Sequence, residues 1–278
     1  MFTIQTEYIL KFDWDILIIL DACRFDIFKE VSKNIIPKTN EIKKMISPAT
    51  QTVEWLNKTF YGNYYPDIIY VSSNPFINSK GIKAEQGGFE FNAKPCFKKI
   101  IDVWDTSWNP DISTVHPLDV NRAAIVSLDL RKKYKHIIHY MQPHSPYIYY
   151  GGLKSHLHPI QNIQKNFIPA NEFSYLSKIA KKVLSQEKIW DICEFLGRQP
   201  TWDLGKLYLK YGREGIRKGY TEDLKLVLKH IKKIIELYPK KKIVITADHG
   251  ERLGENGNYG HGGKREKEVI EVPWIKFN

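Results

Sequence analysis

Long apolar runs are missing from this 278-residue chain. A membrane-spanning helix needs about 18 or more consecutive apolar residues. The longest run near the start, Ile16 to Leu20, is only strand-length and is flanked by Asp15 and Asp21. No basic-then-apolar leader precedes a small-residue cleavage site, so the default expectation is a cytoplasmic protein. Cysteine is scarce: Cys23, Cys96 and Cys193 are far apart and odd in number, which suits neither a disulfide framework nor a Cys-based zinc site. Internal repeats, low-complexity linkers, C2H2 spacing and RNP-type aromatic motifs are absent too. Specific nucleic-acid binding is therefore not expected, despite 42 Lys and Arg against 31 Asp and Glu and a formal charge of +11. The basic residues are spread along the chain and read as a solvated surface. An anionic small molecule, a glycan or a lipid head group would suit that charge equally.

What is present is the composition of an ordinary globular protein, 42% apolar and 26% charged. Short β-branched runs at Asp15 to Leu20, Asp67 to Ser72, Lys135 to Met141 and Lys242 to Thr246 read as buried strands. Helical stretches separate the last two. The clearest runs from Tyr220 to Leu237, where Thr221 can cap and Leu224, Val227, Leu228, Ile231, Ile234 and Ile235 recur at helical spacing. Strands separated by helices predict a three-layer α/β/α fold with a mainly parallel central sheet. The stretch 151–219 reads as a helical or irregular insertion and a candidate lid within one domain spanning 1–278.

In an open parallel sheet, ligands bind beyond the carboxyl ends of the strands. Asp21 follows the first strand, His144 lies just past the third, and Asp248-His249 follow the fourth. Two carboxylates and an imidazole at strand ends make a site for a divalent metal such as zinc, manganese or magnesium. A lone Asp after a strand is usually a turn or cap residue. Here the combination is stronger, because Asp248-His249-Gly250-Glu251 leads into a glycine-rich loop, Gly254 to Gly263, that carries His261 between two glycines.

These motifs resemble the alkaline phosphatase superfamily, in particular its sulfatase-like branch. Ile245 to Gly262, I-T-A-D-H-G-E-R-L-G-E-N-G-N-Y-G-H-G, is similar to a stretch of phosphoethanolamine transferases. His139 to Tyr147 looks like the segment that supplies a substrate-side His. Ile18 to Asp26 looks like the first strand with its metal-binding Asp, and Val272 to Ile275 like the strand after the metal loop. The resemblance implies an alkaline-phosphatase-like fold with Asp21, Asp248 and His249 as metal ligands. It also implies a nucleophile at the start of a helix after the first strand. Thr50 is taken as that nucleophile and fourth ligand, because Glu54 and Trp55 follow it at the offsets seen in lipoteichoic-acid synthase relatives; Thr52 and Ser47 are the alternatives. A plain helix-capping role for Thr50 or Ser47 is the competing reading. The chain stops where many relatives continue into a smaller C-terminal subdomain, so a minimal catalytic domain is expected.

Two departures narrow the chemistry. Cys23 lacks the Cys-x-Pro-x-Arg-like context that sulfatases convert to formylglycine, and reads instead as a small buried residue. The third-strand segment has Gln142 and His144 but no Asp at the place two-zinc relatives need. One divalent ion is therefore expected, zinc first, with manganese, magnesium or calcium as alternatives and a weak second ion left open. His144 and His261 would hold substrate oxygens or protonate the leaving group, and Arg24 would touch the substrate unless it pairs with Asp26. Glu251 would orient a ligand. The expected activity is a metal-dependent phosphohydrolase or phosphotransferase that acts through a phospho-threonine. The alternatives are a sulfatase, or an inactive anion-binding domain of the same fold.

Overall fold

A computed structural model describes residues 5–37, 41–152, 184–198, 200 and 203–278. Seven strands form one sheet: β1 (Ile16–Leu20), β2 (Lys43–Ile46), β3 (Tyr65–Ser72), β4 (Phe97–Asp102), β5 (Lys135–Tyr140), β6 (Ile243–Ala247) and β7 (Glu271–Phe277). Their order across the sheet is β2-β7-β6-β1-β5-β3-β4. The five strands from β6 to β4 run parallel, and β7 pairs antiparallel with both β6 and β2. The expected mainly parallel sheet is present, with helices on both sides.

The core follows from the apolar strand runs. Every residue of β1, Ile-Leu-Ile-Ile-Leu, is fully buried, as expected for a central strand covered on both faces. The indoles of Trp55, Trp104 and Trp274 lie in the same core. On one side, α2 (Phe25–Ser32) and α4 (Pro117–Leu130) pack against α6 (Asp203–Leu237). Helix α1 (Gln5–Lys11) meets α3 (Thr52–Phe60) where the Trp55 indole donates to Gln5 Oε1 at 2.9 Å.

The expected helix start at Thr221 is not where the helix begins. Helix α6 runs from Asp203, with a break at Gly212 (φ 66°, ψ −174°), a conformation that glycine adopts without strain. Thr221 lies inside it, because the apolar stripe continues upstream through Ile216 and the fully buried Tyr220. Within 151–219, α5 (Gln186–Phe195) and the first half of α6 are helical. Residues 153–183 of that stretch lie outside the described residues. None of the described helices is long and apolar enough to cross a membrane.

Candidate metal centre and active site

Sheet register builds the site. Leu20 pairs with Ala247 on one side and with Tyr140 on the other. The residues that follow, Asp21 and Asp248, therefore emerge side by side at one edge. Ala22 then turns the chain sharply, with a left-handed φ of 58°. Its N–H donates to Asp248 Oδ1 at 3.0 Å, which locks the two strand ends together.

Asp21, Asp248 and His249 are all buried, and their ligand atoms lie within 4.8 Å of one another. His249 donates Nδ1–H to the Gly250 carbonyl at 2.8 Å. Its Nε2 lone pair therefore faces the cluster, 3.5 Å from Asp248 Oδ2 and 3.9 Å from Asp21 Oδ1. Burial, with His261 nearby, holds the His249 imidazole well below its ordinary pKa, so it is neutral as a ligand must be. Burial and the neighbouring Asp248 push the Asp21 carboxyl well above its usual range. Asn74 donates to Asp21 Oδ2 at 2.7 Å, while Asp21 Oδ1 has no hydrogen-bond partner. A buried, partnerless carboxylate oxygen beside a second carboxylate and a neutral imidazole fits a divalent cation. The oxygen-rich donor set with one nitrogen suits zinc or manganese.

The two threonines of the 47–56 segment part company here. Thr52, the first residue of α3, donates its hydroxyl to Asp248 Oδ2 at 2.8 Å and lies 3.3 Å from His249 Nε2. Thr50 does not face the cluster. Its N–H and hydroxyl both donate to Glu54 Oε2, at 2.9 and 3.0 Å, and Lys58 holds the other oxygen of that carboxylate. Ser47 donates to the Asp248 carbonyl and accepts from Ala49 N–H. Neither hydroxyl accepts from a helix amide, so the capping reading does not describe Thr50 or Ser47, and the placement of Thr50 at the Asp21–Asp248–His249 cluster is corrected to Thr52. The physical reason is Glu54: third in the helix, it accepts from both Thr50 donors.

A second, outer cluster comprises His144, Glu251 and His261, again with ligand atoms within 4.8 Å. Glu251 is buried and its oxygens lie 3.2 and 3.4 Å from His261 Nδ1. Burial alone would raise the Glu251 carboxyl, but His261, with His144 and His249, outweighs it and holds it below the usual range. Burial alone would lower His261, but Glu251 outweighs it and raises the imidazole above its ordinary 6.5. The pair therefore favours a protonated His261. His144 donates Nδ1–H to the Ser145 carbonyl. Burial, with His261 beside it, lowers the His144 pKa. The His261 ring lies 4.4 Å from that of His249 and 5.1 Å from that of His144, centroid to centroid, so the two clusters adjoin. His144, Glu251 and His261, with Ser145, Asp203, Leu204 and Gly260, line a cavity of about 340 Å³.

Arg24 is placed differently from its expected substrate contact. Its guanidinium donates to both oxygens of Asp26 at 2.9 and 2.7 Å, and to Glu255 at 2.7 Å. The buried side chain is committed to structural carboxylates, and the competing Asp26 pairing is what the structure contains. Cys23 is fully buried, with its thiol pushed well up by burial. Tyr147 is core, packed edge-on to Tyr220, and Tyr150 stacks on Tyr211 at 4.0 Å. Asp223, pushed up to about 7 by burial, accepts from Ile148 and Tyr149 N–H and so ties the segment after His144 to α6. Asn74, His139 and Asp223 were not singled out from sequence. His139 opens the quoted His139 to Tyr147 segment, where His144 drew the attention, and Asn74 follows the end of β3; Asp223 lies in no motif.

No family model matches the sequence, and none of the curated proteins matches it. Solved structures do. The chain is similar to the integral membrane lipooligosaccharide phosphoethanolamine transferase A of Neisseria meningitidis, with a TM-score of 0.52 and 14% identity over 96% of this chain. It matches the soluble domain of that transferase with a TM-score of 0.53 and 15% identity, covering 94% of this chain and 75% of that one. The fold is alkaline-phosphatase-like. The chain spans about half the length of the intact transferase, 48%. Within this fold, the two clusters described above lie at and beside the carboxyl ends of the central strands β1 and β6, where open parallel sheets place their ligands.

Proposed function

We propose that the chain is a metal-dependent phosphohydrolase or phosphotransferase acting on phosphate mono- or diesters, with Thr52 as nucleophile. The observation that carries this reading is the Thr52 hydroxyl, set between Asp248 and His249 at the start of a helix. Asp21, Asp248, His249 and Thr52 would hold the ion. When bound, a divalent cation there supplies Lewis acidity, making the hydroxyl a better nucleophile and neutralising phosphoryl charge.

The chain's own groups do the rest. Asp248 Oδ2 already accepts the Thr52 hydroxyl hydrogen and orients the oxygen for attack. As the Thr52 O–P bond forms, the hydroxyl proton passes to Asp248 Oδ2 and the bond to the leaving oxygen breaks. His261, kept protonated by Glu251, gives that oxygen its proton, and His144 lines the same cavity. Water or an acceptor hydroxyl then takes the phosphoryl group from Thr52 and gives its own proton to His261, while the proton on Asp248 returns to the Thr52 oxygen. Hydrolysis and transfer differ only in that acceptor.

A sulfatase would need Cys or Ser, the formylglycine precursors, facing the cluster, and the residue there is threonine. An anionic small-molecule, glycan or lipid head-group substrate and a cytoplasmic setting belong to the same proposal. The test is an acid quench of the zinc- or manganese-loaded protein with nitrophenyl phosphate esters, followed by peptide mass spectrometry. A phosphoryl group on Thr52 is expected. Turnover that persists in Thr52→Ala overturns the role of Thr52. Turnover of sulfate esters alone restores the sulfatase reading, and metal uptake with no turnover of either ester favours the anion-binding domain.

A further inference from the structure

His139, in β5, is fully buried, and its Nε2 has no hydrogen-bond partner. That atom points at the inner cluster, 3.7 Å from Asp21 Oδ2. Its Nδ1 lies 2.9 Å from the hydroxyl of Tyr70 on the adjoining strand β3. Trp55 closes over the imidazole edge-on, with ring centroids 6.5 Å apart.

Hydrogen accounting fixes the proton positions. Tyr70 is fully buried, and among the described residues its hydroxyl has one hydrogen-bond contact, His139 Nδ1. A buried O–H without an acceptor is costly. The hydroxyl therefore donates to Nδ1, and the ring's own N–H is at Nε2. A doubly protonated ring would leave the Tyr70 hydroxyl without an acceptor, so the ring is neutral. The Nε2–H then faces the same Asp21 oxygen that Asn74 already holds at 2.7 Å. Both donors lie on the Oδ2 side, and Oδ1 is left bare towards His249.

We infer that Tyr70 and His139 form a positioning pair that, with Asn74, fixes the Asp21 carboxylate so that Oδ1 is presented to the metal. The inference rests on the reading of the inner cluster as a metal centre. His139 is a positioning residue: it acts through Asp21 and does not touch substrate. Groups of this kind orient ligands, and their loss lowers metal affinity by about 10- to 100-fold.

The test uses the full chain and two readouts. In metal-free protein, ¹⁵N-detected histidine spectra should give His139 as the Nε2–H tautomer; the Nδ1–H tautomer overturns the pairing. In zinc titrations against a competing chelator, His139→Leu should bind about 10- to 100-fold more weakly. His139→Gln keeps an N–H at the place of Nε2 and should restore most of the affinity. Unchanged affinity in the Leu variant, or a Gln variant as weak as Leu, overturns the inference. If His139→Leu does not fold, Tyr70→Phe carries the test, because it removes one hydroxyl from the same shape. Weaker zinc binding with near-normal melting supports the pair, and unchanged binding sinks it. A wild-type chain that takes up no zinc overturns the metal-centre reading itself. Zinc uptake that is indifferent to both substitutions overturns this inference alone.

Discussion

The inner and outer clusters are neighbours built in different ways. Asp21, Asp248 and His249 stand at the ends of central parallel strands and are fully or almost fully buried. Their geometry is inherited from sheet register, and it holds two carboxylates together at a cost in the metal-free state. His144 and His261 sit on loops at a partly open cavity, and their geometry depends on one ion pair, Glu251 with His261. A strand end makes a rigid place for a group that must not move, such as a metal ligand. A loop makes a place for groups that meet a substrate and exchange protons with it.

The largest test of that division lies within one segment. Thr52→Ala should abolish turnover of phosphate esters by about 10³-fold or more, as loss of a nucleophile does. Thr50→Ala, two residues away, should leave turnover nearly intact and cost about 1 kcal/mol of stability through the lost hydroxyl bond to Glu54, read by denaturant unfolding. Equal effects on turnover would erase the distinction between the two threonines.

In the outer cluster, His261→Gln should lower turnover by about 10²- to 10⁴-fold, the range of general acid catalysis. Elemental analysis of the same variant should still find the ion held by the inner residues. Loss of both would merge the two clusters into one.

Glu251→Gln makes a narrower cut. Glu251 is what raises His261 above 6.5, against the effect of burial. An acid must be protonated to act, so activity should fall as pH rises through that raised value. Without the carboxylate, burial is left to lower the imidazole, and the falling limb of the pH–rate profile should move to lower pH. A limb that stays in place would remove His261 as the acid.

The smallest effect concerns the inner cluster alone. Asp21 has a folded pKa well above its ordinary 3.8, so folding favours its protonated form. Its contribution to metal-free stability is fully present below pH 3.8 and is lost as pH rises towards the folded value. Asp21→Asn removes that ionisation. Metal-free Asp21→Asn should therefore melt a few degrees above wild type at neutral pH, with the gain shrinking towards pH 4, while its zinc uptake falls. A variant that melts lower at every pH would show that the carboxylate is structurally required even without an ion.

Much of this was legible in the chain. Ile16 to Leu20 and Ile243 to Ala247 have the length and β-branched content of buried strands. The polar residues after them could be placed at one sheet edge before any coordinates. Other roles were hidden because they depend on distant partners. Arg24 meets Glu255 across 231 residues and is thereby withdrawn from the cavity. Helix α6 starts upstream of the apparent cap because Tyr220 packs inward and bonds the Ala22 carbonyl. His139 looks like any strand residue until Tyr70 is beside it.

By itself, then, the sequence determined the strands, the sheet class and the donor types Asp21, Asp248 and His249, because period, apolar content and residue chemistry are local properties. Only the tertiary structure decided between Thr50 and Thr52. The two are chemically identical and lie on either side of Gln51. Which hydroxyl reaches Asp248 depends on how α3 docks against the ends of β1 and β6, with Glu54 folded back to engage Thr50. That docking is set by contacts nearly 200 residues apart in the chain.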